Sequence, residues 1–143
     1  MKRRLRFALW ELGLVAAGAV PGALLRWRLG VQIGPLLADG ATGVAAANLL
    51  SNLLGSFLLG MLAGPIPWRA PLLLLGGIGF CGSLTTFSSW MLDLVRLNGQ
   101  GQPEEAQALL ILSLVLGLAA AAAGLATSRW LLIRPPGPPR SQR

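Results

Sequence analysis

The sequence predicts an all-α membrane protein with four transmembrane helices, and three observations carry that reading. Hydrophobic residues make up 54% of the 143-residue chain and charged residues only 12%, against roughly a quarter charged in a soluble domain. Four apolar segments, at about residues 7–27, 40–64, 71–95 and 106–133, each reach the roughly 20 residues that about 30 Å of hydrocarbon requires. The stretches between them hold turn formers: Gly34-Pro35 and Asp39-Gly40, then Pro65-Ile66-Pro67-Trp68-Arg69, then Asn98-Gly99-Gln100-Gly101-Gln102-Pro103.

The first segment follows Lys2, Arg3, Arg4 and Arg6 and ends at Arg26-Trp27-Arg28. Its basic start, apolar run and Ala17-Gly18-Ala19 resemble a secretory signal. Continuation through Leu24-Leu25 to an arginine pair favours a spanning helix. Glu11 reads as interfacial, or as a proton carrier if the chain is a proton-coupled exporter. Arg26 is either a snorkelling cation or an electrostatic lure for an anion at a pore mouth.

In the second segment Asn48, Ser51, Asn52, Gly55 and Ser56 recur at steps of three and four. An asparagine amide in hydrocarbon is costly unless hydrogen-bonded. Interhelical bonding would satisfy either asparagine alone, whereas the two together favour a polar path.

The third segment is the most specific. Within it, Gly79-Phe80-Cys81-Gly82-Ser83-Leu84-Thr85-Thr86-Phe87-Ser88-Ser89-Trp90 holds two glycines, three large aromatics and five hydroxyls in seven residues. The glycines weaken the helix, and the sequence predicts a break near the middle of this span. A break frees backbone carbonyls for a cation and N–H groups for an anion. Phe87 and Trp90 lie three apart, on one face if the helix resumes, and a positive ring edge can meet a small anion. Ordinary apolar packing is the competing reading of both rings. Cys81 reads as a small residue at a close contact.

In the fourth segment Ser113, Gly117, Ala121, Gly124 and Ser128 form one narrow face suited to close helix packing. The tail Pro135-Pro136-Gly137-Pro138-Pro139 cannot be helical. Residues 135–143 are expected to be a disordered cytoplasmic tail.

The net charge of +7 does not point to nucleic acid, because the basic residues sit at segment ends and no aromatic-interleaved basic face is present. With four spans, Lys2, Arg3, Arg4, Arg6, Arg69, Arg129, Arg134, Arg140 and Arg143 share one side, against Arg26, Arg28 and Arg96 on the other. The termini are therefore expected in the cytoplasm, with the chain in the cell membrane. Trp27, Trp68 and Trp130 fall where interfacial belts place indoles. One cysteine and no histidine exclude an intrachain disulfide, thiolate or imidazole metal sites and His-based catalysis. No enzyme activity is expected.

The stretch from Gly79 to Ser88 resembles the third-helix signature of the CrcB/Fluc fluoride channels. Asn52-Leu53-Leu54-Gly55-Ser56-Phe57-Leu58-Leu59-Gly60 resembles their second-helix motif and Gly22-Ala23-Leu24-Leu25-Arg26-Trp27 their first, with Ser113 through Gly117-Leu118 a looser match to the fourth. The resemblance implies that residues 1–134 form a subunit of an antiparallel, dual-topology dimer with two fluoride pathways. It implies a structural, untransported sodium ion at the dimer centre, held by the carbonyls of Gly82 and Thr85. It maps the pathway onto Asn52, Phe87, Trp90, Ser88, Ser113 and Arg26. Three positions depart from the family pattern: Trp90 replaces the second pathway phenylalanine, Ala47-Asn48 replaces the usual Gly-Thr, and Trp27 replaces a tyrosine. The implied partner is a second copy or an oppositely oriented paralogue, and the charge bias, which opposes insertion in both orientations, favours the paralogue. The expected function is passive fluoride export that lowers cytoplasmic fluoride. A small proton-coupled multidrug exporter and a non-transporting partner subunit are the competing readings.

Overall fold

The computed structural model describes residues 2–66 and 69–132, and every secondary-structure element in them is helical. Four helical runs are long and apolar enough to cross a membrane: Arg3–Leu37, Thr42–Leu62, Ala70–Gly99 and Pro103–Leu132. They match the four predicted segments. The first run is the main difference, because it does not stop before Gly34-Pro35. Helix α1 (Lys2–Arg28) passes into a π-type turn (Leu29–Ile33) and then α2 (Gly34–Leu37). Pro35 is the second residue of α2, just past the π-type turn, and has no N–H to return to the preceding turn.

Helix α3 (Gly40–Leu62) is the second span. The third run holds α4 (Arg69–Leu72), a π-type stretch (Leu73–Cys81), α5 (Gly82–Leu84) and α6 (Ser88–Gly99). Helix α7 (Pro103–Leu132) is the fourth. Between α6 and α7, Gly101 takes a φ of 76°, a left-handed value that suits glycine. The Gln102 N–H turns back to the Leu97 carbonyl at 3.0 Å, and Pro103 then opens α7 without losing a helical bond. Trp68, residues 133 and 134 and the proline-rich tail lie outside the described residues.

Small residues set the packing. A Cβ on Gly18 or Gly22 would strike the Leu75 or Phe80 carbonyl, and one on Gly79 would come within 2.5 Å of the Val15 carbonyl. Helix α1 and the π-type stretch thus meet backbone to backbone. The predicted stripe on α7 does the same with α3: Gly60 faces the Ala121 carbonyl, Gly124 the Phe57 carbonyl, and Gly64 the Ser128 hydroxyl. In lipid such close approach supplies the dispersion contacts that the hydrophobic effect does not. The most enclosed side chains are accordingly small or medium: Leu84, Cys81, Ser51 and Ser128. Large apolar residues such as Ile78, Val95 and Ile111 point outward, as lipid-facing positions do.

Candidate functional site

The site begins with one asparagine. Asn52 Nδ2 donates to the Thr86 carbonyl at 3.0 Å, and Asn52 Oδ1 accepts the Thr86 N–H at 2.7 Å. One side-chain amide therefore satisfies both backbone groups of a residue on another span. In an uninterrupted α-helix the Thr86 N–H would close onto the Gly82 carbonyl. Three residues on, the Ser89 N–H donates to Thr86 Oγ1 at 3.2 Å instead of closing onto the Thr85 carbonyl. Thr85 itself is extended, with φ −76° and ψ 155°. The two N–H groups that a regular helix would send to the Gly82 and Thr85 carbonyls are thus both engaged elsewhere.

Around this clamp lies a groove of about 500 Å³. Asn52, Ser56 and Leu59 of α3 form one wall, and Thr85, Thr86, Phe87 and Trp90 form the second. The third comes from α7, with Ser113, Leu114, Gly117, Leu118 and Ala121. None of these residues is ionisable. The Phe87 and Trp90 rings sit 5.6 Å apart at 53°, a tilted pair within the favoured range for aromatic contacts. Phe87 is 73% exposed, so its ring stands at the open side. Trp90 Nε1 donates to Ser113 Oγ at 3.1 Å, and Ser113 Oγ donates to the Leu109 carbonyl at 2.6 Å. The groove therefore combines hydroxyls, an amide and two aromatic rings without a fixed charge.

Sequence comparison places this geometry. Residues 13–125 match the family model described as CrcB-like protein, Camphor Resistance (CrcB). The chain belongs to the CrcB family. Among its CrcB relatives, one from Parasynechococcus marenigrum (strain WH8102), named fluoride-specific ion channel FluC 2, is 52% identical over 139 residues, 96% of this chain and 94% of that protein. Prochlorococcus marinus (strain MIT 9313) has two relatives. Its fluoride-specific ion channel FluC 2 is 44% identical over 80% of this chain and 78% of that protein. Its fluoride-specific ion channel FluC 1 is 36% identical over 81% of this chain and 90% of that protein.

Of the residues matched to the CrcB pattern, Asn52, Phe87, Trp90, Ser113 and Thr85 meet at the groove. Gly82 lies a few residues before it at the start of α5. Ser88 is exposed at the first position of α6, and Arg26 is half-buried in the last turn of α1. Neither lines the groove.

The residue reading passed over two features. Thr86 is buried and joins the clamp through its backbone, which no residue letter reports. Asp93, read only as an acid near a segment end, is buried and accepts a hydrogen bond from Asn48 Nδ2 at 2.7 Å. A cavity of about 210 Å³ lies beside it, bordered also by Arg96 and Glu105. Spacing held the signal: Asn48 is one turn before Asn52, and Asp93 is two turns after Thr86, so both pairs fall along one helix crossing.

Proposed function

We propose that this chain is a fluoride channel subunit that lets fluoride leave the cytoplasm passively, with the α3–α6–α7 groove as part of the anion route. The observation that carries the reading is the Asn52 clamp on Thr86 beside a neutral groove of donors and ring edges. Fluoride is small and tightly hydrated, so passage needs groups that replace water without trapping the ion. A fixed cation in the groove would hold the anion; amide, hydroxyl and aromatic edge would not. The names of the CrcB relatives support the same substrate.

In this reading Asn52, Ser88, Ser113, Phe87 and Trp90 serve the route, and Arg26 draws the anion toward its mouth. The third span is broken at Thr85, and its loose carbonyls have a second use. Gly82 and Thr85 fit a sodium ion, because the N–H groups that would close onto their oxygens donate elsewhere. Such an ion would supply fixed positive charge that holds backbone segments together, with no part in transport. The subunit pairs antiparallel, with itself or with an oppositely inserted relative. The FluC 1 and FluC 2 names within one organism support the second arrangement.

Liposomes loaded with fluoride and containing the protein, alone and with such a relative, test the reading with a fluoride electrode. Fluoride release with chloride retained is the expected result. Vesicles that hold both ions in either preparation would exclude a channel and leave the multidrug exporter and the non-transporting subunit as the competing readings.

A further inference from the structure

The contact between Trp90 and Ser113 fixes a direction that the residue types leave open. A serine hydroxyl donates and accepts, whereas an indole N–H only donates. At 3.1 Å from Trp90 Nε1, Ser113 Oγ is therefore the acceptor. Its own proton returns along α7 to the Leu109 carbonyl at 2.6 Å, the i−4 bond that helical serines commonly make. Thr85 behaves alike, its hydroxyl donating to the Cys81 carbonyl at 2.9 Å. Two of the hydroxyls bordering the groove thus have their protons turned onto helix carbonyls.

We propose that Trp90 decides which side chain offers a proton to the anion: it holds Ser113 as an acceptor and supplies its own indole N–H in place of the serine hydroxyl. The inference rests on the channel reading above and refines it. With the indole in place, an entering anion must part the Trp90–Ser113 pair before it can use the N–H. With phenylalanine at position 90, Ser113 is free to rotate and point its proton into the groove. The Leu109 carbonyl keeps its backbone partner in α7 through that rotation. A net hydrogen bond of this kind is worth about fivefold in an equilibrium.

The two positions should therefore show opposite effects in combination. Fluoride release is measured for the wild type, Trp90→Phe, Ser113→Ala and the double variant in liposomes. Ser113→Ala should raise release about fivefold in the wild-type background, because the N–H loses its competing acceptor. In the Trp90→Phe background the same change should lower release about fivefold, because the proton that Ser113 can then offer is removed. The indole ¹⁵N–¹H resonance that Trp90→Phe deletes should also move on Ser113→Ala. Equal factors in both backgrounds, or an unmoved resonance, would overturn the inference and leave the channel reading standing. A wild-type chain without fluoride release, alone or with an oppositely inserted relative, would overturn both.

Discussion

At the scale of single residues, Asn52 matters through what it denies the backbone. Removing its amide leaves the Thr86 N–H and carbonyl without the partners they now have, in a span where water is scarce. Each orphaned group costs about 1–3 kcal/mol. Asn52→Ala should therefore lower the thermal midpoint of the detergent-solubilised protein. Asn52→Asp, which sets a carboxylate oxygen against the Thr86 carbonyl within the span, should lower it at least as far. Equal midpoints for all three proteins would mean that Thr86 finds other partners. Asn52 was legible in the sequence because an amide inside an apolar run demands an explanation. Its partner was not, because that partner is a peptide group.

At the scale of elements, the α3–α7 contact separates glycines by the space they have. A Cβ on Gly124 would strike the Phe57 carbonyl, whereas one on Gly117 would meet only Ser56 Oγ at 3.9 Å. Gly124→Ala should destabilise by about 1–3 kcal/mol through overpacking, and Gly117→Ala should leave the melting midpoint near the wild-type value. Circular dichroism melts of the two variants would check the contrast, and equal midpoints would show that the close Gly124 contact does not set the difference, because helix propensity favours alanine at both positions. The α7 stripe could be read from spacing because small residues at steps of three and four have one geometric use in lipid. The extension of the first run past Gly34-Pro35 could not. Gly-Pro usually ends a helix, whereas here a π-type turn precedes it and the run continues to Leu37.

At the scale of the whole molecule, the charge distribution speaks to orientation and the exposed rings to partnership. Lys2, Arg3, Arg4 and Arg6 stand at the start of the first helical run. The positive-inside tendency predicts that this end faces the cytoplasm, with Arg26, Arg28 and Arg96 on the other side. A C-terminal fluorescent-protein fusion should therefore glow in the cytoplasm, and the matching alkaline phosphatase fusion should stay inactive. Comparable signals from both fusions would show insertion in two orientations and remove the need for a second gene product. A groove whose Phe87 edge is 73% exposed is a wall rather than a tube, consistent with the proposed pairing of subunits. The clamp also bears on how such a protein is made. Asn52 leaves the ribosome before Thr86, so spans inserted in chain order would bring the amide into the bilayer ahead of the backbone groups it covers. A permuted chain that delivered the third span first would hold those groups bare in lipid until the second caught up. The order of the spans along the chain thus bears on how the clamp assembles.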